Sequence, residues 1–504
     1  MNQLKAGAVL NYVIIALNTI VGLSYTPYML RCLGQNEYGL YSLVASVIAY
    51  LTLLDLGFGN AIIRYTAKFR AVGDKERQWR MFGMFLIIYS IIGTIALGCG
   101  MCLYFNVDSL FDKTMSLEEL AQAQTMMLLL SINLAITFPL SIFGSIITAH
   151  ENFIFQRVIT ILRIVISTGV LILVLALGYK AVSLVVVQTI FNIVTLVINY
   201  VYCKKRLKIR IILGKFDWPF IKEISIFSFW IFLNAIMDRI YWGTGQFVLG
   251  AVSGTIAVAV FSVAIMFQQM YMQFSGAIAS VLLPRITAMV AIKKTDKEIS
   301  NLFISTGRLQ AIIMLFILSG FIVFGKSFIN LWAGVDYSES YIITLIFFIA
   351  LFIPLIQNVG ISILQARNQL KFRSITYLII SLLSVIGQIW LSNIYGAVGC
   401  AMAIGVALFV GQGVVMNIYY AVKQNLDINS FWKQVGYMMI IPSILTILGL
   451  LSCQIIEYNS FPSLVAGIII YTILYVPLFY RVGMNERERN YIKSPVLKLL
   501  HLQK

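Results

Sequence analysis

The chain has 504 residues, of which 60% are hydrophobic and only 11% charged, with a mean hydropathy of +0.90. These values lie far outside the soluble globular range and leave no room for a sizeable water-soluble catalytic domain. The formal net charge of +17 invites a nucleic-acid reading, but no basic soluble module exists to carry one, so nucleic acid is excluded as a partner.

Fourteen apolar runs follow one another, at 7–30, 40–63, 81–105, 124–148, 157–178, 181–202, 224–250, 254–283, 303–325, 341–365, 372–393, 397–421, 433–456 and 462–481. About 20 apolar residues cross the hydrocarbon core as a helix. In lipid a helix satisfies its own backbone, whereas open strands cannot. The expected fold is therefore an all-α integral membrane protein with about 14 transmembrane helices.

The first run is long, lacks a small-residue cleavage site and flows into the second after a short turn, so it reads as a span and not a cleaved signal peptide. It places Asn11, Asn18, Gly22 and Tyr25 on one helical face. Arg31 caps its outer end, where snorkelling accounts for the charge, as it does for Arg64 and Arg285 near other span ends. The second run holds Asp55, ~12 Å from its basic end at 1.5 Å per residue, too deep for so short a side chain to reach water. In the third, Cys99 and Cys102 form a CxxC inside an apolar helix with no second pair, which is neither a zinc nor a redox setting.

Arg163 lies about two turns into the fifth run. The sixth carries Gln188, Asn192, Thr195 and Asn199, read as interhelical hydrogen bonding between packed helices. In the seventh, Asn234, Asp238, Tyr241 and Gly245 repeat the polar face of the first, beside Arg239 and Trp242. These two stripes are read as facing a shared central cavity. As sequence neighbours, Asp238 and Arg239 point about 100° apart and do not pair on one face. A charge at the bilayer centre costs at least about 2.5–3.5 kcal/mol, so Asp55 and Asp238 serve either a structural ion pair or the passage of substrate or ion. Gln269 and Gln273 stripe the eighth run. Pro27, Pro139, Pro354, Pro442 and Pro477 fall within runs, where each removes a backbone hydrogen bond. Hinges are expected at Pro27 and at Pro354, the latter beside Gln357 and Asn358.

Lysine and arginine concentrate in alternate loops: Arg64–Arg80, Lys204–Lys222, Arg285–Arg308, Arg367–Arg373 and Arg481–Lys504. The intervening loops hold only Arg31, Lys113, Lys180 and Lys326 among basic residues, and instead carry Glu37, Asp108, Asp112, Glu118, Glu119, Asp336, Glu339 and Glu457. By the positive-inside rule both termini are cytoplasmic. The longest basic loop divides the chain into an N-terminal six-helix bundle (1–210), a second six-helix bundle (211–425) and an additional helix pair with a cytoplasmic tail (426–504). Each bundle holds an even number of spans, so the two are parallel repeats related by a pseudo-twofold axis along the membrane normal. No phosphate-binding loop is present, and the only histidines, His150 and His501, fall in loops, so ATP hydrolysis and an intramembrane histidine relay are not expected.

Three stretches are familiar: Pro27–Leu30 with Leu33-Gly34-Gln35-Asn36-Glu37-Tyr38-Gly39-Leu40-Tyr41; Leu54-Asp55-Leu56-Gly57-Phe58-Gly59 running to Arg64-Tyr65; and Val281–Arg285. With these residues and the six-plus-six-plus-two plan, the chain resembles the Wzx-type polysaccharide-unit flippases of the multidrug/oligosaccharidyl-lipid/polysaccharide exporter superfamily. The resemblance implies a V-shaped cavity between two six-helix bundles. It also implies carriage of a polyprenyl-diphosphate-linked oligosaccharide from the cytoplasmic to the outer face by alternating access, for O-antigen, capsule or exopolysaccharide synthesis, and not an enzyme.

For such a cargo Arg31, Arg64, Arg163 and Arg239 are the candidates for the diphosphate, because guanidinium suits phosphate oxygens. Asn18, Tyr25, Asn234, Tyr241, Trp242, Gln269 and Gln357 are the candidates for the glycan. Asp55 and Asp238 would carry a coupling ion, proton or sodium; no other cofactor and no metal site is expected. Expected partners are membrane lipids, a polysaccharide polymerase and chain-length machinery, in a bacterial inner membrane. The alternatives are a multidrug–cation antiporter of the same superfamily and an integral-membrane polymerase or transferase.

Overall fold

The computed structural model describes residues 3–214, 217–292, 294–367 and 369–490, and among these every regular element is a helix, with no strand. Its helices are α1 (Gln3–Leu51), α2 (Phe58–Val72), α3 (Lys75–Phe105), α4 (Val107–Phe111), α5 (Leu117–Ala149), α6 (Phe153–Ala176), α7 (Ala181–Lys205), α8 (Trp218–Val252), α9 (Thr255–Ala291), α10 (Asp296–Trp332), α11 (Glu339–Ile356), α12 (Asn358–Ala366), α13 (Leu370–Leu408), α14 (Met416–Val422), α15 (Ile428–Ile455) and α16 (Phe461–Val482). Eleven helical stretches among the described residues are long and apolar enough to cross a membrane. Their outward faces carry Leu173, Leu177, Ile386, Trp390, Ile447 and Ile473, all well exposed. A water-soluble protein does not display so continuous an apolar surface, whereas lipid tails cover it at no cost. The chain is a multi-pass membrane protein.

Two of the stretches are about twice the length of one crossing: Leu10–Val72, with 63 residues, and Leu370–Val422, with 53. Each is broken at a glycine. Gly34 (φ 73°, ψ 177°) interrupts α1, and Tyr395-Gly396 (Gly396 φ 54°) interrupts α13, conformations that only glycine adopts freely. Pro27 was expected to hinge the first span. The helix instead runs through it and breaks seven residues later, where the chain turns. Near Pro354, α11 ends at Ile356, two residues beyond the proline.

The chain forms two compact units, Met1–Ala259 and Val260–Lys504. Charge patterning places a boundary at 210/211. The contacts place one at 259/260, because α8 packs along α1 and α2 within the first unit.

In the first unit α3 lies against α5, α5 against α7, and α6 against α1. The α3–α5 contact is close because Gly93, Ala96 and Gly100 share a ridge of α3. A Cβ on Gly93 would strike the Ala135 carbonyl, and one on Gly100 the Ser131 side chain. Small residues let membrane helices approach where no hydrophobic driving force separates protein from lipid. Beside this ridge Phe58, Phe82, Phe85, Tyr89 and Phe138 form an aromatic core. The polar stripe of the sixth span is interhelical bonding in part: Asn192 donates to Asn133 Oδ1 (2.8 Å) and Thr137 Oγ1 (2.7 Å), and the Gln188 amide donates to the Tyr41 hydroxyl (2.8 Å).

In the second unit α10 packs on α11 and α15, and α15 on α16. Arg308 of α10 forms a bidentate pair with Glu488, beyond α16, at 2.7 and 2.8 Å. Both side chains are only 6% exposed. The guanidinium also donates to the Gly483 and Gln434 carbonyls, and Glu488 Oε2 accepts the Asn485 amide (2.8 Å). The last helix pair is thus pinned to α10 by a buried charge pair with its remaining valences filled. A second knot joins Arg367 to Asp296 (2.7 Å) and to the Gln424 carbonyl (2.8 Å). Next to it Asp427 caps α15, accepting from the Ser430 amide at 2.8 Å. The Ser430 hydroxyl and amide hold its carboxyl below the usual aspartate range.

Candidate substrate and ion site

The second span is not one helix. After α1, residues Thr52–Asp55 make a tight turn, Leu56 (φ 51°, ψ 15°) and Gly57 (φ 74°, ψ 12°) are both left-handed, and α2 starts at Phe58. Gly57 meets that conformation without strain, while Leu56 bears it at a cost of about 1–2 kcal/mol. A helix broken at membrane depth frees backbone groups, and such breaks are where membrane transporters place ions and polar substrates.

Asp55 sits at this break. Its carboxylate accepts the Tyr89 hydroxyl at 2.7 Å and the Gly57 amide. Tyr89 is fully buried, with Phe58 edge-on at 6.4 Å and Phe138 stacked at 6.4 Å. Among the described residues Asp55 is therefore held by neutral donors, not by a cation. Tyr89→Phe, which removes one donor and keeps the packing, is expected to destabilise the protein by about 1–3 kcal/mol. Thermal unfolding in detergent measures this, and an unchanged midpoint would show that the bond contributes nothing.

The same turn packs on α8. One helical turn before the break, the Tyr50 hydroxyl bonds Thr244 Oγ1 at 2.6 Å. The Arg239 chain runs past Gly243, where a Cβ would lie 2.9 Å from Arg239 Cδ and 3.5 Å from the Tyr50 oxygen. Glycine at 243 is what lets the arginine lie along its own helix toward Tyr50. On the neighbouring side of α2, Arg64 lies 5.7 Å from the Tyr65 ring, and the Tyr65 hydroxyl donates to Glu223 at 2.8 Å.

The remaining candidates divide. Arg163 is part-buried, ten residues into α6. Among the described residues it makes no hydrogen bond, ion pair or ring contact. Tyr25 is similar: its hydroxyl oxygen is buried without a partner. Asn18, Arg31, Asp238 and Gln269 are exposed and Trp242 part-buried; Asp238 and Arg239 fall on differently exposed faces of α8, as their spacing requires. The Asn234 side chain lies outside the described residues.

Two candidates are packed in this conformation. Tyr241 is 0% exposed and tilts against Trp242 at 5.3 Å, so in this conformation it fills the first unit's interior. Gln357 is 3% exposed and exchanges amide bonds with Asn417 at 2.9 and 3.1 Å. In this conformation its amide is engaged in closing the break between α11 and α12. Around the same break Ser275 Oγ donates to the Leu355 carbonyl at 2.7 Å, one of the acceptors that Pro354 and the chain break leave open.

Tyr50, Thr244 and Tyr89 were not singled out by sequence. None of the three lies on the polar stripes that the sequence singles out. The break itself had a signal: an aspartate followed by two spaced glycines inside a run that should be uninterrupted.

Comparison with known proteins adds an independent line. The family model described as "Polysaccharide biosynthesis protein" matches residues 4–290. The chain is 20% identical over 498 residues to the uncharacterized membrane protein EpsK of Bacillus subtilis (strain 168), covering 94% of each. It is 19% identical over 367 residues to a putative O-antigen transporter of Shigella flexneri, covering 72% of this chain and 84% of that one. Among solved structures it is similar to the lipid II flippase MurJ in an inward closed conformation, with TM-score 0.68, 17% identity and 94% and 99% of the two chains covered. An inward-facing multidrug resistance MATE family transporter follows with TM-score 0.62, 15% identity and 84% and 99% coverage. Both structures belong to one fold, which this chain shares.

Proposed function

Because the chain belongs to the polysaccharide biosynthesis protein family, we propose that it is a flippase. It carries a polyprenyl-diphosphate-linked oligosaccharide unit from the cytoplasmic to the outer face of a bacterial inner membrane, by alternating access, for cell-surface polysaccharide synthesis. A glycan bearing a diphosphate cannot cross hydrocarbon unaided, whereas its polyprenyl tail can stay in lipid while the head moves through a polar path. The observation that carries this reading is Arg163, a part-buried guanidinium inside a span with no protein partner among the described residues. Charge is not kept in that setting unless something anionic uses it.

Arg239 and Arg64 would take the diphosphate with it. Tyr25, with its unsatisfied hydroxyl, and Asn18, Asn234, Trp242 and Gln269 would meet the sugar. Asp55 at the helix break, or Asp238, would exchange a proton or sodium ion against the cargo. In this reading the chain makes fourteen crossings: the eleven apolar stretches, one more for each of the two broken at a glycine, and α8. Both termini are cytoplasmic, and polymerase and chain-length proteins act next on the delivered unit.

The likeness to a multidrug transporter fold keeps a cation-drug antiporter as the second reading. Deleting the protein from its host and analysing the lipid fraction separates the two. A flippase predicts accumulation of a polyprenyl-diphosphate glycan with loss of surface polymer and unchanged drug tolerance. Intact polymer with increased sensitivity to cationic drugs would favour the antiporter.

A further inference from the structure

At the end of the first unit that carries the basic loops, the segment 206–214 does not project outward. It folds back onto α3: the Ile209 amide donates to the Cys203 carbonyl (3.1 Å) and the Ile212 amide to the Trp79 carbonyl (3.3 Å). A Cβ on Gly83 would meet the Ile212 carbonyl, so this contact is backbone on backbone. Lys208 is held at φ 50°, a left-handed conformation unusual for lysine. The fold-back forms one wall of an open cavity of about 600 Å³.

Four cations line it, Arg70, Lys75, Lys208 and Arg210, and no carboxylate does. Arg70 keeps one nitrogen on the Ala149 carbonyl (2.6 Å), which fixes its position and leaves the rest of its fork available. Arg210 lies 5.7 Å from the Trp79 ring. None of the four has an ion-pair partner among the described residues. Gln78 also lines the cavity, is 3% exposed, and its amide nitrogen is buried without a hydrogen-bond partner. The four cations are exposed around the cavity, whereas the Gln78 nitrogen is a buried donor left without a partner, which costs free energy in the empty site.

We propose that this cavity is a binding site for a phosphate group, separate from the transport path, with Gln78 and the four cations as its donors. Like charges held around one cavity repel, and an anionic phosphate group relieves that repulsion through charge-assisted hydrogen bonds, with the Gln78 amide at the cavity wall as a further donor once its side chain turns toward the ligand. The half-buried Trp79 at the lip matches the aromatic anchors found at headgroup level, and clustered basic residues beside a bilayer attract anionic lipid. The phosphate comes either from an anionic phospholipid headgroup or from a small soluble phosphate. Bound, it ties α2, α3 and the loop after α7 together.

The test is a titration of the purified full-length protein in neutral detergent, following the thermal unfolding midpoint. Inorganic diphosphate and short-chain phosphatidylglycerol are added in separate arms, with succinate as a non-phosphate anion. The wild type is expected to be stabilised by at least one phosphate ligand and not by succinate. Lys75→Gln/Arg210→Gln should weaken the response about tenfold or more, and Gln78→Leu, which alters no charge, should weaken it as well. Lys371→Gln/Lys423→Gln, in the second unit, should leave it unchanged. A response to both phosphate ligands assigns the site to the phosphate alone, and a response only to phosphatidylglycerol assigns it to a lipid headgroup. The proposal is overturned by no stabilisation from either, by an equal response to succinate, or by a wild-type response in both Lys75→Gln/Arg210→Gln and Gln78→Leu. If the double variant fails to fold, Gln78→Leu and the single Lys75→Gln carry the test.

Discussion

Glu488→Ala is expected to destabilise the protein by about 3–5 kcal/mol, the cost of leaving a buried charge without its partner. Arg308 would then face the Gly483 and Gln434 carbonyls alone, 6% exposed, in a pocket built for a bidentate carboxylate. Glu488→Gln, which keeps the side chain's shape and one acceptor oxygen but turns the other toward Arg308 or Asn485 as a donor, should cost less than Ala. Replacing both residues with methionine should recover most of the loss, because a buried ion pair is worth little against apolar residues of similar volume. Denaturant-induced unfolding of the purified variants measures all three. Equal stability of Glu488→Ala and wild type would mean that the pair does not hold the last two helices to α10.

Arg163→Ala should act in the opposite direction on stability and strongly on transport. An unpartnered cation inside a span is a liability to folding, so its removal is expected to raise resistance to unfolding by on the order of 1 kcal/mol. That is a fraction of the ~2.5–3.5 kcal/mol central insertion cost, because the side chain is only part-buried. Transport of a diphosphate-bearing cargo should fall by about tenfold or more, since one charge-assisted contact to phosphate is lost. Surface polysaccharide at verified protein level gives the second readout. A variant that lost stability and transport together would show that Arg163 is a structural residue.

These opposed signs illustrate what the sequence could and could not reveal. The helical membrane fold was legible because lipid imposes one simple rule on every span, and apolar length records it. The bond between Asn192 and α5 was legible for a related reason, since an amide in an apolar helix has to find a partner. The burial of Tyr241 and Gln357 was not legible, because a polar residue on a helix face looks the same whether a neighbouring helix or water covers it. The break at Asp55 was missed because a run of hydrophobic residues hides two left-handed residues as readily as one continuous helix. The basic fold-back over Trp79 was invisible for another reason: its charges read as topology, and only the backbone bond from Ile212 shows that they surround a cavity.

The most direct measurement places the purified protein in liposomes with a polyprenyl-diphosphate-linked oligosaccharide on one leaflet. The sugar's arrival at the other leaflet is then followed with a glycan-modifying enzyme that cannot cross the bilayer. The account predicts rapid translocation that requires both the diphosphate and the glycan, falls with Arg163→Ala, and is absent from protein-free vesicles. Translocation no faster than in empty liposomes, from protein that is folded and correctly inserted, would contradict it.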